Sequence, residues 1–114
     1  MDQPEKPATK IIYPIPSILE QLEFRRMFER EAPVEVELGS GDGSFIVQYA
    51  QAHPDINIIG VERLLGRLRK IERKGVRADL KNLRGLRIEA SYFLEFLLPE
   101  KSVRAIHILS LIHI

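Results

Sequence analysis

Residues 34–38, Val-Glu-Val-Glu-Leu, alternate apolar and acidic side chains with the period of two that marks a short strand. The run leads into Gly39, Gly41 and Gly43. Beyond them Phe45, Ile46, Tyr49 and Ala50 recur at helical spacing until Pro54. Residues 56–61, Ile-Asn-Ile-Ile-Gly-Val, predict a strand buried on both faces and ended by Glu62. Strand, glycine turn, helix and strand together make a parallel βαβ unit. Leu64, Leu65, Leu68 and Ile71 form the apolar stripe of the next helix, with Arg63, Arg67, Lys70 and Lys74 on its other side and Gly75 as its expected end. A short helical turn over 78–83 should follow, then a third strand over 86–90. Phe93, Leu94, Phe96 and Leu97 predict a helix stopped at Pro99, and residues 103–108 a fourth strand. Upstream, Pro4, Pro7, Pro14 and Pro16 predict an extended or mobile arm over 1–16. Ser17 with Glu20 predicts a capped helix that shows Ile18, Leu22, Phe24, Met27 and Phe28 and ends at Pro33. This alternation implies an α/β fold, a parallel sheet with helices on both faces and right-handed crossovers.

The 114 residues have room for one domain, and 45% hydrophobic with 29% charged residues is the balance of a folded chain. No apolar run approaches the roughly 20 residues of a bilayer span. The N-terminus lacks a signal-peptide pattern, so the chain is expected to be cytoplasmic, with no membrane partner. The absence of cysteine excludes a disulfide scaffold, a thiolate zinc site and a cysteine nucleophile. His53, His107 and His113 are too scattered for a metal site, and no metal is expected. His53 reads as a helix terminus and His107 as a packed strand residue. Charge changes the picture more. Residues 62–87 hold ten basic side chains against three acidic ones, whereas the rest holds seven against thirteen. One face is thus a candidate surface for a polyanion, or simply a solvated helix face.

The chemistry concentrates at residues 37–45, Glu-Leu-Gly-Ser-Gly-Asp-Gly-Ser-Phe. Glycines there let a ligand approach the backbone, and in open parallel sheets ligands bind beyond the carboxyl ends of the strands. Glu62 and Glu89 are expected at the same rim. Glu62 lies 21 residues past Gly41 (62 − 41), near the roughly 20-residue offset at which an acid holds a ribose. A dinucleotide fingerprint needs its third glycine at position 44, where this chain has serine. Glu37 would also sit badly beside a pyrophosphate but well beside an ammonium group. S-adenosylmethionine offers an amino group and a sulfonium with no phosphate, so the pattern favours it over a nicotinamide cofactor. A tight corner without a ligand would give the same turn, and the acids at 37, 62 and 89 weigh against that. Asp42 reads as a helix N-terminal residue favoured by the dipole.

The runs at 36–43, 54–62 and 82–90 resemble the bacterial tRNA guanine-N7 methyltransferases, a class I methyltransferase family, and the likeness extends over residues 34–108. The resemblance implies a Rossmann-like class I methyltransferase sheet represented by its N-terminal part, about four parallel strands with flanking helices. It implies that Glu37, Gly39, Gly41 and Glu62 bind S-adenosylmethionine, with Glu89 and Ala90 near the adenosine, and that the partner is tRNA. The cationic candidates for tRNA are Arg63, Arg67, Lys70 and Lys74. The family's catalytic aspartate follows the fourth strand in an aromatic-Pro-Asp-Pro-Trp segment that this sequence lacks, so no catalytic residue is assigned. Residues 109–114, Leu-Ser-Leu-Ile-His-Ile, are expected to be foreign to the native chain, because one reading frame of a sequencing-library transposon adapter encodes them. The expected organisation is therefore an arm over 1–16, a partial cofactor-binding domain over 17–108 and an anomalous tail, inactive alone. Methylation of a small molecule or a protein is the alternative activity.

Overall fold

A computed structural model describes residues 10–39 and 41–108; the arm over 1–9 and the tail over 109–114 lie outside them. In chain order the elements are α1 (Phe24–Met27), β1 (Val34–Leu38), α2 (Ser44–Ala52), β2 (Asn57–Val61), α3 (Leu65–Arg77), β3 (Leu83–Leu86), α4 (Ala90–Tyr92) running into a π-helical turn (Phe93–Leu97), and β4 (Ala105–Ile108). The four strands are parallel in the order β3-β2-β1-β4. That is the expected parallel α/β sheet.

The period of two in β1 puts its apolar side chains on one face and Glu35 and Glu37 on the other. Val34, Val36 and Leu38 pack with Leu22, Met27, Phe28, Phe93 and Leu97 on one face. On the other face Ile46, Val47 and Ala50 of α2 and Leu68 and Ile71 of α3 pack over Ile58 and Leu83. A side chain on Gly85 would collide with Leu68, since a Cβ there would lie 2.7 Å from its Cδ1. Glycine in β3 thus lets α3 lie close to the sheet.

Four expectations need correction. No helix starts at Ser17: its hydroxyl accepts from the Leu19 amide at 3.0 Å, and helix is confined to Phe24–Met27. The segment instead reaches across the molecule, with Leu22 N donating to Leu97 O and the Tyr92 hydroxyl to Ile18 O. α3 does not stop at Gly75 but continues to Arg77. Gly75 is needed for packing, as a Cβ there would meet Ile11 Cγ1 at 2.9 Å. The helix closes where Asp79 takes φ +53°, with Leu80 N bonding Gly75 O and Asp79 N bonding Val76 O, a Schellman closure. No helical turn fills 78–83, and the third strand is Leu83–Leu86 rather than 86–90. The described part of the arm is extended, one of the two conformations expected of it, and it is anchored. Tyr13 N and Gly85 N exchange bonds with Gly85 O and Ile11 O, Ile12 N donates to Glu72 on α3, and Ile11 is fully buried.

Candidate functional site

The ends of β1, β2 and β3 form one rim. Gly39 N donates to Val61 O and Glu62 N to Leu86 O, each at 3.0 Å, so the ladder runs past the last strand residues into the loops. Gly39, Gly41 and Gly43 have φ of +72°, +59° and +84°, a left-handed conformation that side chains other than glycine resist. Asp42 Oδ1 accepts from the Ser44 amide at the start of α2, and bonds from the Ser44 amide and hydroxyl, then the charge of Lys74, hold its carboxyl below the ordinary range. That is the helix-start role expected of it.

Glu37 is buried beneath this turn, and its Oε1 has no hydrogen-bond partner among the described residues. Burial pushes its carboxyl up to about 7, opposed by the nearby His107. In the sheet Glu37 stands in register between His107 on β4 and Gly60 on β2, and Gly60 in turn beside Gly85. The neighbouring position on β2 therefore has no side chain to bond the carboxylate.

Glu62, also buried, follows β2; its Oε2 accepts from Leu64 N at 2.9 Å and its Oε1 lies 3.9 Å from Arg67 Nη1. Glu89 is not a strand-end residue, because β3 stops three residues earlier. Its exposed carboxylate accepts from the Ser91 amide and hydroxyl and the Tyr92 amide, bonds that lower its pKa, and so caps α4, which Ala90 begins. Of the cationic candidates, Arg63 and Lys70 are exposed without hydrogen-bond partners among the described residues, whereas Lys74 Nζ donates to Asp42 O and Ser44 Oγ.

A second polar cluster escaped the sequence. Glu35, two residues before Glu37, accepts from the Tyr49 hydroxyl at 2.6 Å and from Arg104 at 2.7 and 3.0 Å, and pairs with His107 Nε2 at 2.7 Å. Burial raises its pKa, but the bonds from Tyr49, His107 and Arg104 overcome that and hold it at about 2. His107, expected only to pack, is a hydrogen-bond partner of Glu35; Tyr49 lies ring to ring with it and stacks on His53 at 4.1 Å. The period of two placed Glu35 and Glu37 on one face, but the pairing of β1 with β4 joins residues some seventy positions apart and leaves no local trace.

A model of a family described as "Putative methyltransferase" matches residues 31–109. The chain belongs to this methyltransferase family. Curated relatives include proteins named tRNA (guanine-N(7)-)-methyltransferase from Thermotoga maritima, 33% identical over 76% of this chain and 28% of the relative, and from Macrococcus caseolyticus, 41% identical over 60% and 32%. One of the same name from Chloroherpeton thalassium is 32% identical over 86% of this chain and 43% of its own length. The chain thus spans about a third of the length of the relatives it matches. Among solved structures, a 30S ribosomal A1408 methyltransferase from an uncultured bacterium superposes with a TM-score of 0.60 at 22% identity, covering 75% of this chain and 41% of that one, and so shares the class I methyltransferase fold.

Proposed function

We propose that the chain forms the cofactor-binding part of an S-adenosylmethionine-dependent tRNA guanine-N7 methyltransferase. The observation that carries the reading is the open carboxylate oxygen of Glu37, buried under a left-handed glycine turn where three strands end. A buried carboxylate without a partner is costly unless a ligand supplies one, and an ammonium group is the matching donor. The residues fit the group. Glu37 would accept from the amino end of the cofactor, Gly39 and Gly41 would let it approach the backbone, and Glu62 would accept from ribose hydroxyls with its Oε1. Glu89 and Ala90 are proposed for the adenosine side, with the Glu89 carboxylate already engaged in capping α4.

When bound, the cofactor supplies a methyl group activated on a sulfonium. Guanine N7 presents a lone pair and needs no deprotonation, so the work of the protein is orientation and the stabilisation of moving charge. Glu37 and Glu62 would orient the cofactor by its amino group and its ribose hydroxyls. Arg63, in the loop before α3, and Lys70, exposed on α3, are the proposed phosphate contacts, with Arg67 and Lys74 at the border of the cofactor site. The names of the relatives support tRNA as the substrate class.

Titration of the chain with tRNA over a salt series tests the polyanion surface. Affinity is expected to fall log-linearly with salt, and Arg63→Ala with Lys70→Ala to flatten the slope by about two. An unchanged slope would remove these residues from the surface. A polypeptide carrying this segment at the relatives' full length is expected to methylate guanine N7 in tRNA; transfer to a small molecule or protein but not to tRNA would replace the substrate assignment.

A further inference from the structure

The face that α3 turns to the glycine loop is built at i, i+4 and i+7. Arg67 Nη1 stands 3.9 Å from Glu62 Oε1. Ile71 packs against Gly43, where a Cβ would lie 2.7 Å from Ile71 Cγ1 and 3.2 Å from its Cα. Lys74 donates to Asp42 O at 2.9 Å and Ser44 Oγ at 3.0 Å, and lies 3.8 Å from Asp42 Oδ2. Its ammonium therefore bridges the two residues that flank Gly43. The backbone carbonyl and the hydroxyl take two of the three donors of the ammonium group, and the carboxylate adds the attraction of an opposite charge.

We infer that Lys74 is a positioning residue of the glycine loop, holding it ready for the cofactor, and is thereby withdrawn from the polyanion surface to which its place on α3 assigned it. The inference rests on the reading of the glycine turn as the cofactor site. Glycine-rich loops lose more conformational freedom than others when ordered, and a loop fixed before the ligand arrives spares binding that cost. The clamp joins the cofactor loop to the helix that carries Lys70 and follows Arg63, so the two surfaces meet on one element.

Two measurements on the 114-residue chain test this, calorimetric titration with S-adenosylhomocysteine and amide hydrogen exchange over the loop without ligand. Lys74→Met is expected to weaken the ligand about tenfold. It should also speed exchange at the Gly43 and Ser44 amides and leave the melting temperature of the free chain near that of the parent. Lys74→Arg should recover most of the affinity. Ser44→Ala should weaken binding less, and Arg73→Met, an exposed neighbour, should leave it unchanged. Parent-like exchange in Lys74→Met overturns the inference whether or not the ligand binds. So does an affinity loss that tracks a fall in melting temperature and is not recovered by arginine, which would make the lysine merely structural. A parent chain that fails to bind while Lys74→Met still loosens the loop overturns the cofactor reading and leaves the clamp standing.

Discussion

Glu35 and Glu37 stand on the same face of β1, two residues apart, and differ in what surrounds each carboxylate. Glu35 lies toward the amino end of the strand, where Tyr49, Arg104 and His107 saturate it and hold its pKa at about 2. Glu37 lies one step nearer the glycine turn, flanked by Gly60, with an oxygen that no described residue bonds and a pKa of about 7. Burial is common to both; partners are not. A closed carboxylate strengthens the fold, whereas an open one weakens the fold and waits for a donor, which is how a binding site differs from a structural ion pair.

The comparison makes measurable differences. Burial favours the protonated form of Glu37, so its contribution to stability is complete below about pH 4.5, declines as pH rises and is lost above about 7. Glu37→Gln, neutral throughout, is expected to unfold in urea at pH 8 with up to about 3 kcal/mol more stability than the parent, and with no advantage at pH 4. Glu35→Ala should move the other way, losing about 2 kcal/mol at pH 7 because its partners are partly exposed and rehydrate. The contribution of Glu35 is present above about pH 4.5 and lost as pH falls toward 2, so the acid limb of the parent's stability profile should shrink in that variant. Smallest is Tyr49→Phe, which deletes one hydrogen bond to Glu35 and is expected to cost about 1 kcal/mol by the same urea measurement. Equal pH profiles for the Glu35 and Glu37 variants would erase the distinction between them.

The sequence carried the parts whose signals are local. Alternation in β1, the glycines after it, the continuous apolar run of β2 and the stripe of α3 each predicted its element. The errors fall where a long-range contact outweighs a local signal. Ser17 and Glu20 spell a helix start, yet their segment spends its polar groups on Leu97 and Tyr92. Gly75 resembles a helix end but is small because Ile11 packs on it. β3 was hidden because it contains Gly85 and the buried Arg84, whose Nε and Nη1 donate to the backbone oxygens of Met27 and Leu83. At the site, Glu37, the glycines and Glu62 were legible from spacing, whereas the inward turn of Lys74 and the Glu35 cluster depend on contacts between distant elements.

The central claim is that Glu37 is held open for the amino group of the cofactor, and calorimetric titration with S-adenosylhomocysteine at pH 7, in two buffers of different ionisation enthalpy, tests it most directly. The parent chain is expected to bind and, because burial keeps Glu37 partly protonated before binding, to release a fraction of a proton. Glu37→Gln should bind at least about a hundredfold more weakly and release none. Binding by Glu37→Gln at the affinity of the parent, or no binding by a folded parent chain, would contradict the account.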